Sequence, residues 1–348
     1  MKAEVDASVM ADAVKAAASV AKGAGVTNCL RLEVVGTNML VLGGDGDTFI
    51  ELVVPVSGGE DGALVTPAKT LAKAAPLLDG PVSLYTQGER LVVETMTSEL
   101  SLPLADPVKY PRLRWPEGEP VELGAAWERL RLITYASAMS SEPVFQAVKL
   151  LPDGWAEAYD KTRMARTPIP DGLAAAVRKD SFDFAAKVMG AEISAVTGEN
   201  AVSFHGPGVR VLAATVQAQL ATATPGELSG WLDEGPSFTC DRKAFLEAVS
   251  LVEVVRDGRA QPVRVDVVDE EATLSAKTPD VGEVSASFPV EGEMPWPFGI
   301  TAGYVRDVLS RSAAERVTFQ FGPSDRHPIV VETDDIVHMF GPNRAAMK

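Results

Sequence analysis

Apolar residues near the start of the chain recur every three or four positions. Met10, Val14, Ala17 and Ala21 share one face of a helix, with Asp12, Lys15, Ser19 and Lys22 on the other. This spacing predicts an amphipathic helix from Ser8 to Lys22. The period then changes to two. From Asn28 the segment NCLRLEVVGTNMLVLGGDGDTFIELVVPV alternates apolar and polar residues between turn-formers, the pattern of an antiparallel meander. Thr66-Pro67 reads as the N-cap and first position of a second helix, with Leu71, Ala75 and Leu78 inward and Lys69 and Lys73 outward, four residues apart. A strand pair, GPVSLYTQGERLVVETMTSELSLPL from Gly80, closes the series.

The same series occurs three times. The meander returns as FQAVKLLPDGWAEAYDKTRMARTPIP from Phe145 and as PVRVDVVDEEATLSAKTPDVGEVSASFPV from Pro262. The closing strand pair returns as GAEISAVTGENAVSFHGPGVRVLAATV from Gly190 and as ERVTFQFGPSDRHPIVVETDDIVHMFG from Glu315. Taking Val82, Ile193 and Val317 as equivalent gives steps of 111 and 124 residues, the size of whole domains rather than solenoid units. Turn-formers cluster from Pro111 to Pro120 and from Thr224 to Pro236, so the expected domains are 1–116, 117–234 and 235–348. Strands grouped apart from helices, without regular βαβ alternation, indicate an α+β fold with antiparallel sheets and helices on one face.

A net charge of −16 over 348 residues argues against a polyanionic partner unless the bases are segregated. They recur on the helices. The first repeat carries Lys15, Lys22, Lys69 and Lys73. The second carries Arg129 and Arg131 on its first helix and Arg178, Lys179 and Lys187 on its second, and the third carries Arg242, Lys243, Arg306 and Arg311. Acidic residues fall instead in segments that read as turns, such as Asp233-Glu234, Asp269-Glu270-Glu271 and Asp334-Asp335. Solvated helix faces would explain any one of these helices. With six helices carrying the same pattern, a phosphate-binding face and a solvated face explain it about equally well.

The usual catalytic signatures are absent: there is no nucleophile elbow, Walker loop, H-E-x-x-H or paired C-x-x-C. No enzymatic activity and no cofactor is therefore expected, the rival being an enzyme with an unrecognised site on an α+β scaffold. His205, His327 and His338 lack metal-ligand spacing. Gly43-Gly44-Asp45-Gly46-Asp47 reads as a turn rather than a calcium loop, and Lys22-Gly23-Ala24-Gly25 as a helix end rather than a phosphate cradle. Cys29 and Cys240 read as free packing thiols. With no run of about 18 apolar residues and no leader-like start, a cytoplasmic location is expected.

Several stretches together resemble the bacterial DNA polymerase III beta sliding clamp family. They are the opening MKAEVDASVMADAVKAAASV, LVTPAKTLAKAAPLLDG, SLPLAD, the turn YDKTRMA from Tyr159 and the closing GPNRAAMK. The resemblance spans essentially the whole chain. It implies the DNA clamp fold: three similar domains, sheets outside and helices inside, closed as a head-to-tail homodimeric ring around duplex DNA without base readout. It implies a cleft for short peptides of the polymerase and clamp loader, at Tyr159, Arg163, Met164, Pro225, Ile329, Pro342, Asn343 and Arg344. It also implies a subunit interface of Leu100 and Leu102 with Leu251 and Val252. The chain departs from the family at Lys161, Thr162, Asn343 and Ser229-Gly230, and lacks an arginine near Lys22. A paralogue or decoy with changed partners is the alternative within this reading.

Overall fold

The computed structural model describes residues 1–137, 142–217, 235–255, 262–279 and 281–347. The described residues form six α-helices: α1 (Ala7–Val20), α2 (Ala68–Ala74), α3 (Ala125–Ile133), α4 (Lys179–Val188), α5 (Arg242–Val252) and α6 (Ala302–Leu309). Each odd-numbered helix follows a short strand, each even-numbered helix follows a meander, and each series ends on three strands. The element order read from the sequence is thus present three times.

Local chemistry starts and stops these elements. Asp6 caps α1, its Oδ1 accepting from the backbone N–H groups of Ser8 (2.9 Å) and Val9 (3.3 Å), and Asp241 caps α5 through the N–H of Ala244 (2.8 Å). The second helix begins differently from the sequence reading. Thr66 is a buried strand residue whose hydroxyl donates to the Pro103 carbonyl, and Pro67 holds the cap position without a side-chain acceptor. Helix α1 stops at Val20, so Lys22 projects just beyond it; Arg178 immediately precedes α4 and Arg311 follows α6. Asp269-Glu270 and Asp334-Asp335 are hairpin turns with φ of 50° and 62° and of 51° and 62°, the left-handed pair that a two-residue hairpin requires.

The chain divides into two compact units, Met1–Trp127 with Val177–Val216, and Glu128–Ala176 with Gln217–Lys348. In the first unit Lys2–Asp6 lies between Gly58–Glu60 and Pro81–Gln87 in a five-stranded sheet that ends on Glu99–Pro103. The unit's eight-stranded sheet joins two repeats, because Val209–Ala214 pairs antiparallel with Thr48–Pro55. Helix α1 packs on Asn38–Gly44, Thr48–Pro55 and α2. Gly43 is required there, since a Cβ would lie 2.3 Å from the Ala17 carbonyl oxygen. Trp127, Phe182 and Phe204 form a buried cluster with ring centroids 5.4 Å apart.

The second unit contains the twelve-stranded sheet, again crossing a repeat boundary: Arg163–Pro168 pairs with Ile336–Phe340. Its core is aromatic. Phe319 stacks between Phe238 (5.0 Å) and Phe245 (4.8 Å), and Phe288, Phe298 and Phe321 close the cluster. Cys29 and Cys240 are buried free thiols, and burial pushes Cys240 up to about 12. Among the described residues no helix is long and apolar enough to cross a membrane. Replacing Phe319 with Ala should destabilise the protein by about 3–5 kcal/mol, because the stacked rings on both sides cannot collapse into the space. Denaturant unfolding measures this, and a loss below about 1 kcal/mol would contradict the packing described.

Candidate nucleic-acid interface and partner cleft

Four of the sequence-predicted bases meet in one place. Lys15, Lys22, Lys69 and Lys73 line a groove of about 700 Å³ between α1 and α2, with Ala18, Ser19, Ala21, Asn28, Pro67 and Ala72 as the remaining walls. All four lysines are exposed, and among the described residues none of them has an ion pair. Their convergence follows from helical geometry. Lys69 and Lys73 lie four residues, about one turn, apart on α2, Lys15 lies on α1 and Lys22 just past its end, and the two helices pack side by side.

The other predicted bases are mostly engaged within the protein. Arg129 is half-buried, donating to Thr167 Oγ1 (3.0 Å) and the Pro168 carbonyl (3.2 Å), with Asp335 3.7 Å away. Arg131 pairs with Glu128, Arg178 with Asp47, Lys179 with Asp183, Arg306 with Glu253 and Arg311 with Asp307. Arg242 caps α6 by donating to the Leu309 carbonyl (3.0 Å) and to that of Ala314 (2.6 Å). Lys187 and Lys243 are exposed and have no ion pair among the described residues.

The second unit holds a cavity of about 470 Å³ lined by Glu157, Tyr159, Asp160, Lys161, Thr162, Arg163, Met164, Pro328, Met339 and Gly341. Its turn is rigidly built. Asp160 Oδ1 accepts from the N–H groups of Thr162 (2.7 Å) and Arg163 (2.9 Å), and the Arg163 guanidinium bridges Asp160 (3.0 Å) and Asp307 of α6 (2.9 Å). Arg163 also lies 4.9 Å from the Tyr304 ring centroid and 5.5 Å from that of Tyr135. Thr162 and Tyr304 hydroxyls bond at 2.9 Å. Behind Tyr159, the buried Lys149 ammonium donates to its hydroxyl at 2.6 Å. Burial raises the Glu157 carboxyl, with the Arg166 guanidinium 3.6 Å away opposing the shift.

Of the sequence-predicted cleft residues, Tyr159, Arg163 and Met164 line this cavity. Ile329 does not: at 1% exposure it is strand core, its side chain pointing inward next to the lining Pro328. Pro342, Asn343 and Arg344 do not line it either. Asn343 is drawn to Phe298–Thr301 instead, its amide donating to Thr301 Oγ1 (3.0 Å) and its N–H to the Gly299 carbonyl (2.8 Å). That approach needs Gly299, where a Cβ would lie 1.9 Å from the Asn343 carbonyl oxygen. Pro225 lies outside the described residues. Sequence reasoning missed Asp160, whose place three before Arg163 in a turn is a recognisable capping signal, and Pro328 and Met339, which no local pattern marks.

At the expected interface, Leu102 (4% exposed) and Val252 (1%) are core residues of their own unit, since strand and helix periodicity turn them inward. Leu100 is half-buried and Leu251 is exposed. Among the described residues no cluster of His, Cys, Asp and Glu could hold a metal ion. His338 is buried between the Tyr135 hydroxyl (2.7 Å) and Thr333 Oγ1 (2.9 Å), and desolvation lowers it to about 3.

Residues 233–339 match the family model of the DNA polymerase III beta subunit, C-terminal domain. No curated protein matches the chain. Among solved structures, the chain is similar to the DNA polymerase III subunit beta of Pseudomonas aeruginosa, with 18% identity over 99% of this chain and 100% of that one and a TM-score of 0.89. It is also similar to the sliding clamp of Bacillus subtilis, at 17% identity, 99% of each chain and 0.88. The beta subunit of Streptococcus pyogenes gives 16%, 99% and 100%, and 0.89. The fold is therefore the beta-clamp fold over its full length, as the resemblance implied.

His338 makes stability depend on acid. Its folded pKa of about 3 lies below the ordinary 6.5, so the folded state keeps it neutral while the unfolded state takes a proton. Its contribution is complete above pH 6.5 and declines as pH falls toward 3, by up to about 1.4 kcal/mol per pH unit. His338→Gln should flatten that decline in urea titrations at pH 7 and pH 5. An identical pH profile for the variant would refute the assignment.

Proposed function

We propose that the chain is a divergent beta sliding clamp, a non-catalytic subunit that closes head to tail with a second copy around duplex DNA and tethers a polymerase. The observation that carries this is a repeated strand register. Along the meander ladders, Leu32–Val41–Leu52, Leu150–Ala156–Thr167 and Val265–Leu274–Ala286 occupy matching rows, so Ile50, Ala165 and Val284 are equivalent. Along the closing strands, Leu84–Val93–Leu100, Ala195–Phe204–Val211 and Phe319–Val331–His338 match, so Leu100, Val211 and His338 are equivalent. Val211 pairs with Ile50, and His338 with Ala165. Two repeat junctions therefore use one register.

The third pairing has no counterpart among the described residues. Glu99–Pro103 ends its sheet with one edge unpaired, and Gly282–Phe288 has a strand neighbour on one side only. Exposed edges of this kind call for a partner. Near the second edge Leu251 (48%), Val254 (74%) and Val281 (57%) are exposed apolar residues, a further sign of a covered surface. A heterologous contact between the two edges generates a closed ring when the rotation closes, and two chains would then supply six repeats. A ring holds DNA by enclosure, so contacts to phosphate alone suffice and permit sliding.

The register makes the dimer testable. Val53 donates to the Gly208 carbonyl (2.9 Å) and Gly341 to that of Thr162 (2.8 Å), which puts Val211–Ile50 and Ala165–His338 at non-hydrogen-bonded positions. Cα atoms there lie about 4.5 Å apart, within disulfide reach. A chain with Leu100→Cys and Val284→Cys should oxidise to a covalent dimer, whereas Leu100→Cys with Ala286→Cys should not. A monomer at micromolar concentration, or cross-linking only in the shifted pair, would refute the closure.

The cavity around Tyr159 and Met164 fits an apolar anchor of a linear peptide, with Met164, Met339 and Pro328 as walls. Lys161, 5.6 Å from the Phe145 ring centroid and paired with Glu142 at 2.8 Å, adds a charged rim. That rim favours a changed peptide set, the second reading within the same function. Met164→Asp should remove polymerase stimulation on primed circular DNA while leaving the dimer intact. Full stimulation by the variant would place the partner site elsewhere.

A further inference from the structure

We infer that the grip on duplex DNA is unequal among the three repeats and is concentrated in the groove between α1 and α2, with Lys15, Lys22, Lys69 and Lys73 as its phosphate ligands. This rests on the clamp reading and refines it. Four ammonium groups converge on one groove, and no acidic residue lines it. The other walls are mostly small, Ala18, Ser19, Ala21 and Ala72, so a phosphodiester can approach the lysine heads without steric hindrance.

Charge in the other two repeats is largely neutralised in place. Arg131, Arg178, Lys179, Arg306 and Arg311 each have a carboxylate within 4 Å, Arg129 is held by Thr167 and Asp335, and Arg242 is committed to carbonyl oxygens. An exposed ion pair is weak, so the pair itself would not keep a base from a phosphate. Its carboxylate, however, stays beside the base and repels the same phosphate. The pair thus brings almost no net charge to the DNA. Lys187 and Lys243 have no ion pair among the described residues but stand on separate helices, in different units. Counterion release depends on net phosphates neutralised, so the first repeat dominates it.

The test is the salt dependence of binding, using the full-length protein and a short linear duplex whose open ends a closed ring can thread. The slope of log Kobs against log salt should fall by about 3–4 when Lys15, Lys22, Lys69 and Lys73 are all changed to Gln, at about 0.9 per phosphate contact. Changing Arg131, Arg178 and Lys179 to Gln should alter it by less than about 1. Should the fourfold variant fold poorly, Lys69→Gln with Lys73→Gln alone should lower the slope by about 2. Equal losses from the lysine and arginine sets, or a wild-type slope in the lysine variants, would overturn the unequal grip and leave the clamp reading standing. A wild-type protein that fails to bind the duplex even at low salt would overturn both.

Discussion

Backbone hydrogen bonding at the edges of antiparallel sheets is the constraint on which this protein is built. An unpaired strand presents a row of amide and carbonyl groups that must find partners in a neighbour or in water. The repeats meet that demand by lending each other strands: Val209–Ala214 extends the meander of the first repeat, and Ile336–Phe340 that of the second. Because both junctions share a register, side chains at equivalent positions face the same way. The boundary between repeats is consequently a continuous sheet rather than a hinge between separate domains. The compact units Met1–Trp127 with Val177–Val216 and Glu128–Ala176 with Gln217–Lys348 divide the middle repeat between them for the same reason.

Charge is arranged on a finer scale than the total of −16 suggests. Bases engaged within the protein serve local structure: Arg163 ties the Asp160 turn to α6, Arg242 closes the end of α6 by donating to backbone carbonyls, and Arg210 binds the buried Glu51 while lying 4.3 Å from the Trp115 ring centroid. The lysines of the first repeat serve no such purpose. Their freedom is what leaves a local positive field on an acidic protein, and a groove focuses that field more than a flat face would.

The cavity near Tyr159 owes its shape to the same kind of buried polar scaffolding. Asp160 holds two backbone N–H groups and one guanidinium, so the turn is fixed before any ligand arrives. A preformed wall loses little entropy on binding, which suits the peptide anchor proposed for this cavity.

The periodicities of the sequence determined a great deal. Alternation of two and of three to four residues placed the meanders and the helices, the threefold recurrence of the pattern fixed the element order, and Lys69 and Lys73 at four-residue spacing were legible as one helix face. Cys29 and Cys240 were legible as buried thiols. Tertiary structure decided the rest, because it turns on partners far apart in the chain. Arg178 finds Asp47 across 131 positions, and Arg163 finds Asp307 across 144. Thr66 looked like a helix cap, but it pairs with Leu30 in the sheet, and its hydroxyl donates to the Pro103 carbonyl. Leu102, Val252 and Ile329 suited an interface or a cleft by their chemistry, yet the pleat and the helix turn direct them into their own cores. A residue's type states what it can bind; which groups lie within 3 Å of it is set by long-range strand register, and no local spacing encodes that.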